Sequence, residues 1–216
     1  MSARSWTYLA ILLALVFHGA LLPFTYGQTY DAYIHMFFGN HYFESWFDPW
    51  ETRWYTGFTV TAYPPGSHQS LAMLMHFFDM RVAFIFMQLV AVALMITGIF
   101  RFSRLWVNDK AASYAAMLCV FSTSVSETLH IFGQLPTMLS IALFLNAIPH
   151  ISGWIERGKK TDLLLAVILT AATTSVHHVT PLFGTVFFCR PCRRCSMAIQ
   201  FECAKRRKAR WARCNR

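Results

Sequence analysis

Five long stretches of the chain carry no formal charge, and they limit the folds that it can adopt. They cover residues 6–24, 82–100, 111–126, 128–155 and 163–188. A bilayer core about 30 Å thick needs roughly 20 apolar residues of helix. Gly133 and Pro136 divide the fourth stretch, so a new helix is expected near Pro136, because proline is tolerated in a first turn.

Composition supports lipid rather than water as the solvent of these helices. Hydrophobic residues make up 56% of the chain and charged residues only 13%, against roughly a quarter in soluble domains. We therefore predict an all-α integral membrane protein with about five transmembrane helices, plus an outer loop with short interfacial helices. The shorter apolar stretch 71–78 is expected to be an interfacial or re-entrant helix. A cleaved signal peptide is the alternative for residues 6–24, although no small-residue cleavage site is clear.

The distribution of Lys and Arg between the stretches predicts the orientation. The bases that flank them fall on one side if the amino terminus is cytoplasmic, as the positive-inside rule requires. They are Arg4, Arg101, Arg104, Lys110, Arg157, Lys159 and Lys160. The opposite side receives the loop 23–80, which holds five acids and has Arg53 as its one interior base. We expect a multi-pass protein with this acidic loop on the outer face.

The last 28 residues do not fit this pattern. Residues 189–216 carry ten Lys/Arg against Glu202 and five of the six cysteines, whereas residues 1–188 are neutral. The net charge of +9 therefore describes a tail, and no nucleic-acid partner is predicted. The domain prediction is a transmembrane domain over 1–188 and a tail that is not part of the fold. A frame-shifted or truncated gene product is favoured; a metal knuckle at Cys189, Cys192, Cys195 and Cys203, or a basic membrane-surface segment, is the alternative.

Three pairs of ionisable residues are expected near the outer leaflet. They are Asp31 with His35, Glu127 with His130, and His177 with His178. At ~1.5 Å per residue, the second and third pairs lie about 25 Å along their helices from the cytoplasmic edge. A carboxylate beside an imidazole can act as a general base with its partner, or the two can ligate a metal. The alternatives are a surface ion pair or helix cap for Asp31 and packing roles for the rest; His18 and His150 are interpreted as structural.

The outer loop also contains an aromatic segment. Trp46, Trp50 and Trp54 are spaced by four, which is typical of an amphipathic helix in the headgroup region. An aromatic wall that stacks on sugar rings is the alternative. Arg53 lies within this segment, and an arginine at a membrane interface is well suited to bidentate contact with phosphate.

These elements together resemble the GT-C glycosyltransferase-like membrane proteins. The resemblance is closest to the prokaryotic membrane family labelled "6-pyruvoyl-tetrahydropterin synthase-related", and it covers roughly residues 6–188. It rests on Asp31, His35, Trp50, Arg53-Trp54-Tyr55, Gly57 and Tyr63-Pro64-Pro65, and on the later Gly133-Gln134-Leu135-Pro136 and His177-His178-x-Thr180. The pterin chemistry in the family label does not carry over, because the soluble pterin synthase has a compact α/β fold.

The resemblance implies sugar transfer from a polyprenyl-phosphate donor at the outer face of a prokaryotic cell membrane. It implies Asp31 as the base or metal ligand, with His35 beside it as the second catalytic residue. Arg53, Trp54, Tyr63 and Trp50 would bind substrate. Because family members usually have eight or more spans, it also implies a truncated or frame-shifted member. The expected partners are the lipid bilayer and a polyprenyl-phosphate-linked sugar.

A second function belongs to another class. Asp31, Glu127, His130, His177 and His178, with His35, could form a metal-binding or transport site in the outer leaflet. Carboxylate and imidazole ligands suit zinc, manganese or iron. The candidate cofactor is accordingly a divalent metal ion.

Overall fold

The structure is a computed structural model, and it describes residues 2–188. This part of the chain is mainly helical, with two short strands and connecting loops. Its helices are α1 Ala3–Thr25, α2 Ala32–Glu44, α3 Gly66–Met75, α4 Met80–Ser103, α5 Asp109–Val120, α6 Thr123–Glu127, α7 Leu135–Arg157, α8 Lys160–Val176 and α9 Val179–Phe188. Strands β1 (Trp50–Glu51) and β2 (Phe58–Thr59) form an antiparallel hairpin. Short 3₁₀ turns cover Tyr26–Gln28 and Val60–Ala62, and a π turn covers Thr128–Phe132.

Three helices in the described part are long and apolar enough to cross a membrane. They are α1 with its following turn, α4 and α7. The pair formed by α5 and the segment Thr123–Phe132 counts as a fourth span if its bend of 42° is allowed within one crossing. These helices indicate membrane association. About five spans were expected from the sequence.

The fifth expected span, residues 163–188, is two helices. α8 ends at Val176, and His177 has extended backbone angles before α9 begins at Val179. Contacts also divide the chain into two units after Pro181. The predicted tail 189–216, with its cysteines, lies outside the described residues.

Local signals in the sequence set the ends of several helices. The side chains of Ser2, Asp79 and Asn108 accept backbone hydrogen bonds at the starts of α1, α4 and α5, which satisfies otherwise unpaired N–H groups. Gly133 ends the π turn with a φ of 68°, and Pro136 lies in the first turn of α7. The predicted break near Pro136 is therefore present.

The long helices form a bundle in which α4 packs against α1, α5 and α7, and α7 packs against α8. At one end of this bundle, Arg101 on α4 donates hydrogen bonds to Asn146 and His150 on α7. His150 in turn contacts Asp162 at the start of α8. His150 thus has the structural role expected of it, at the end opposite to the starts of α4 and α7.

The segment between α1 and α4 folds over the other end of the bundle. Its small core contains the buried residues Tyr42, Val60 and Ala72. The predicted amphipathic helix around the tryptophans is wrong, because residues 46–49 form a turn and an irregular segment and residues 50–59 form the β1–β2 hairpin. Pro49 and Gly57, which has a φ of 95°, are unfavourable within a helix and suited to a turn. The predicted interfacial helix at 71–78 corresponds to α3 and its carboxyl end.

Candidate functional site

A cavity of about 510 Å³ lies where the loop covers the helix ends. It is lined from four parts of the chain: the start of α2, the end of the second 3₁₀ turn, the start of α7 and the end of α8. The lining residues are Asp31, Ile34, His35, Phe38, Tyr63, Gln134, Thr137 and His177. Its volume lies within the range of roughly 300–1,000 Å³ that small-molecule sites occupy. Four of the predicted site residues, Asp31, His35, Tyr63 and His177, therefore meet in one cavity.

The chain around Asp31 is clamped to the turn that precedes α7. The amides of Tyr30 and Asp31 donate to the carbonyls of Ile131 and Phe132 at 3.1 and 2.9 Å. Gly133 permits this close approach, since a Cβ there would overlap the hydroxyl oxygen of Thr29. Asp31 is consequently fixed by backbone contacts from a segment a hundred positions further along the chain.

The Asp31 carboxylate is oriented by one amide. Nε2 of Gln134 donates to its Oδ2 at 3.3 Å. Asp31 occupies the position before α2, yet its side chain makes no capping hydrogen bond. The Asp31 side chain therefore does not cap α2, and its carboxylate can contact a ligand in the cavity.

His35 is buried beside a second imidazole that the sequence analysis did not single out. Nδ1 of His35 lies 3.1 Å from Nε2 of His68, and the two residues are 6% and 1% exposed. Burial lowers the pKa of His35 to about 4, against the partly opposing charge of Asp31, and lowers the pKa of His68 to about 3. Both rings are neutral at pH 7. Burial, with the charge of Asp31, raises the pKa of the nearby Tyr63.

The histidine doublet is divided between the cavity and the surface. The ring of His177 lies 6.2 Å from that of Tyr63, and its Nδ1 is 3.0 Å from the hydroxyl of Thr180. His178 is exposed and does not line the cavity. Only the first histidine of the pair belongs to the site.

Glu127 and His130 do not join this cavity. His130 contacts His18 through Nε2 at 2.9 Å and Thr25 through Nδ1 at 2.8 Å, while Glu127 is exposed. The break between α5 and α6 and the π turn direct the His130 ring toward α1. The predicted grouping of all three pairs is thus corrected. Asp31, His35 and His177 line the cavity, whereas His130 packs with the structural His18.

The residues predicted as metal ligands lie at several places in the described part of the chain. Among residues 2–188, no three His, Cys, Asp or Glu side chains lie close enough together to hold a metal ion. The proposed ligands Asp31, Glu127, His130, His177 and His178 are distributed over the cavity, the surface and the α1 contact.

Arg53 is engaged by two carboxylates in the hairpin. Its Nη2 and Nε donate to Glu51 at 2.6 and 2.9 Å, and its Nη1 donates to Glu44 at 3.0 Å. Glu51 is 2% exposed and also contacts Nδ1 of His41 at 2.9 Å. The hydrogen bonds from Arg53 lower the pKa of Glu51 to about 2. Arg53 therefore holds the hairpin together, with its bond to Glu44 as the solvent-exposed part.

The predicted aromatic residues form a separate surface pocket. It has a volume of about 240 Å³ and is lined by Trp54, Tyr55, Gly57 and Phe58. The Trp50 indole occupies the space where a Cβ on Gly57 would lie. Tyr55 has a φ of 51° and is exposed. Trp54 and Trp50 thus belong to the hairpin and do not line the Asp31 cavity.

Comparisons with protein-family models, curated proteins and solved structures gave no match to this chain. Four lining residues were not singled out as site residues from the sequence, and neither was the buried His68; the four are Ile34, Phe38, Gln134 and Thr137. Gln134 carried a signal, since it stands in the Gly-Gln-Leu-Pro segment before a helix start. His68 follows Tyr63-Pro64-Pro65 by three positions, and its partner could not be read from spacing.

Proposed function

We propose that this chain is a multi-pass, glycosyltransferase-like membrane protein whose cavity transfers a sugar from a polyprenyl-phosphate donor to an acceptor hydroxyl. The observation that carries the proposal is the Asp31 carboxylate, oriented by Gln134 in a cavity beside the neutral His35. Acidic residues near apolar helix ends are costly and mark functional sites. The resemblance of the same residues to the GT-C group supplies the reaction class.

The distribution of charge supports an outer location for the cavity. Arg101, Arg157 and Asp162 gather where α4 and α7 end and α8 begins. Asp31, Gln134 and His177 lie at the opposite helix ends. Bases concentrate on the cytoplasmic side of membrane proteins. We place the amino terminus in the cytoplasm and the cavity at the outer headgroups.

In the proposed reaction, the acceptor oxygen forms a bond to the anomeric carbon of the sugar as the bond from that carbon to phosphate breaks. The proton of the acceptor hydroxyl passes to Asp31, and polyprenyl phosphate leaves with the electron pair. General-base assistance of this kind contributes roughly 10²–10⁴-fold to a rate. Tyr63 and His177 line the same cavity and position the sugar.

Arg53 can contribute to phosphate binding without dissolving the hairpin. Its exposed bond to Glu44 is of a type that contributes only about 0–1 kcal/mol. A phosphate oxygen can replace that carboxylate at Nη1 while Glu51 keeps Nη2 and Nε. Glu44 ends α2 and Asp31 precedes it, about 20 Å away along the helix, so such a phosphate is bound apart from the one that leaves beside Asp31. The apolar pocket at Trp54 offers a surface for the prenyl chain or for the face of a sugar.

The test is sugar transfer by the full chain reconstituted in liposomes with labelled polyprenyl-phosphate sugars. We expect Asp31→Asn to reduce transfer by at least about 100-fold, as loss of a general base does. Asp109→Asn is the matched control, because Asp109 is an exposed acid paired with Arg104 at the far end of the bundle. Equal transfer by wild type and Asp31→Asn would contradict the proposal. Stoichiometric bound metal that is lost in His177→Ala would support the metal-binding alternative instead.

A further inference from the structure

The lining of the cavity carries one formal charge, and that charge is negative. Among the described residues that line it, Asp31 is the only acid, and none is Lys or Arg. Burial lowers the pKa of both lining histidines, that of His35 to about 4, so that His35 and His177 are neutral at pH 7. An anionic ligand would therefore meet a carboxylate and no compensating cation, and charge repulsion is strong where water is partly excluded.

The Asp31 carboxylate also has an unused oxygen. Its Oδ2 accepts a bond of 3.3 Å from Gln134, whereas Oδ1 has no hydrogen-bond partner and the carboxylate forms no ion pair among residues 2–188. The buried carboxylate of Glu51 differs, because Arg53 and His41 both contact it. Charges removed from water are usually paired. A ligand that brings a positive hydrogen-bond donor would supply the partner that Asp31 lacks.

Aromatic rings line the same cavity. The rings of Phe38 and Tyr63 stack with their centroids 6.3 Å apart. The Tyr63 ring also lies 6.2 Å from each of the His35 and His177 rings. The face of a Phe or Tyr ring attracts an ammonium group. Carboxylate and aromatic rings together favour a cation over a neutral molecule of the same shape.

The remaining polar groups and the volume indicate that this cation is part of a larger polar molecule. Thr137 contributes a hydroxyl and Gln134 a carboxamide to the lining of a cavity of about 510 Å³. Such groups can donate to ring hydroxyls or accept from them. A simple alkylamine would leave both of them without a partner.

We propose that the cavity binds an ammonium-bearing ligand of the amino sugar or amino alcohol class, with the ammonium group on Oδ1 of Asp31. Its hydroxyls face Thr137 and Gln134. The use of this ligand as the acceptor rests on the proposed function, whereas the binding preference does not. As an acceptor, it brings to the departing phosphate the positive charge that the lining residues do not supply.

The experiment compares three monosaccharides that share a pyranose ring and differ in charge. They are glucosamine, glucose and glucuronate, and each is titrated into the full chain in detergent micelles at pH 6.5 with ligand-observed NMR. We expect glucosamine to bind at least about 10-fold more tightly than glucose, since it alone forms the ion pair with Asp31. Glucuronate should bind more weakly than glucose.

Variants locate the source of this selectivity. Asp31→Asn removes the charge and keeps the shape, so glucosamine should bind about 10-fold more weakly and match glucose, whose own affinity should change by less than about threefold. Glu127→Gln is the matched control, because it removes an exposed carboxylate that does not line the cavity. It should leave all three affinities unchanged. Tyr63→Leu should weaken glucosamine binding, whereas Tyr63→Phe keeps the ring face and should retain it.

The wild-type comparison tests the proposal without any variant. Equal affinities for glucosamine and glucose would overturn it, and so would tighter binding of glucuronate or an absence of saturable glucosamine binding. Glucosamine selectivity that persists in Asp31→Asn would overturn it as well. None of these measurements needs a lipid-linked donor. Glucosamine binding without sugar transfer in the liposome assay would therefore contradict the proposed function and leave this inference in place.

Discussion

Nε2 of Gln134 lies 3.3 Å from Oδ2 of Asp31, and this hydrogen bond joins the residue before α7 to the residue before α2. The contact ties the helix bundle to the loop that covers it. It also orients the carboxylate on which the proposed chemistry depends. Each partner is half-buried, so the bond is sensitive to charge and still reachable by solvent protons.

Gln134→Glu should convert this contact into a repulsion. Two carboxylates at such a distance raise the pKa of one of them in the folded state. The variant should lose about 1–2 kcal/mol of stability at pH 7. The loss should fade as pH falls through the raised pKa and be absent below about 4, where both groups are protonated also in the unfolded chain.

Thermal unfolding midpoints in detergent between pH 4 and 8 measure this effect. Gln134→Ala is the control, since it removes the hydrogen bond without adding charge. It should cost about 1 kcal/mol at every pH. A pH-independent loss in Gln134→Glu would show that the two side chains do not meet.

Glu51 makes the stability of the hairpin depend on pH in the acid range. Its pKa of about 2 lies below its ordinary value of 4.5 because Arg53 donates to the carboxylate. A lowered pKa stabilises the fold above the ordinary value, and the contribution is lost as pH falls from about 4.5 toward 2. Glu51→Gln should remove this acid transition, which can be followed by the tryptophan fluorescence of wild type and variant.

The same substitution should open the hairpin at neutral pH. Loss of a charged, buried acceptor costs about 2 kcal/mol, so trypsin should cleave after Arg53 roughly 30-fold faster, because cleavage follows the population of the open form. Glu44→Gln is the control, since it breaks only the exposed bond and should change cleavage by less than about fivefold. Equal rates in the two variants would contradict the assigned role of Glu51.

Gly133 and Gly158 provide a matched test of the turn that clamps Asp31. Both have positive φ values, 68° and 63°, but a Cβ at Gly133 would overlap Thr29, whereas none of the described residues lies within 4 Å of a Cβ at Gly158. Alanine at Gly158 should cost about 1 kcal/mol, the penalty of the left-handed conformation alone. Alanine at Gly133 should cost clearly more stability than alanine at Gly158, which the unfolding midpoint measures. It should also reduce sugar transfer in the liposome assay.

A double variant separates the penalty of the left-handed backbone at Gly133 from the cost of the overlap with Thr29. Adding Thr29→Ala removes the hydroxyl that a Cβ at residue 133 would meet but keeps the Cβ of residue 29, so Gly133→Ala should cost less stability in the Thr29→Ala background than in wild type. An equal cost in both backgrounds would place it elsewhere than in the Thr29 contact.

The helices near α1, α4 and α7 could be predicted from the sequence because uncharged length and a proline near a helix start are local signals. The hairpin could not. Trp46, Trp50 and Trp54 have helical spacing, yet their conformation is set by Glu51 binding Arg53 and His41. Such a network depends on side chains that meet only after folding.

Part of the site could also be predicted from local signals in the sequence. Asp31, His35 and His177 stood out as members of ionisable pairs, Tyr63 was named through the Tyr-Pro-Pro segment of the resemblance, and the four line one cavity. Glu127 and His130 were grouped with them by counting residues along a straight helix, whereas the chain bends between α5 and α6. His68 was missed because its role depends on a contact with His35 across 33 positions.

Two buried amides in the packed pair α4 and α7 provide the last prediction. Asn146 is 4% exposed and bonds through Nδ2 to the carbonyls of Leu94 and Ala142 and through Oδ1 to Arg101. Gln88 is fully buried, and neither of its polar atoms has a hydrogen-bond partner among residues 2–188. A buried polar group without a partner costs about 1–3 kcal/mol, whereas a satisfied one stabilises.

Substitution by apolar side chains of similar size should therefore raise the stability at position 88 and lower it at position 146. Gln88→Met removes an unpaired amide and should raise stability by about 1–2 kcal/mol, while Asn146→Leu removes the acceptor of Nη1 of Arg101, which keeps only its bond to His150, and should lower stability by about 2 kcal/mol. Unfolding midpoints in one detergent measure both. If Gln88→Met instead lowers stability, Gln88 has a polar partner in the protein as purified. A bound water or ligand beside α4 would then be the group to locate.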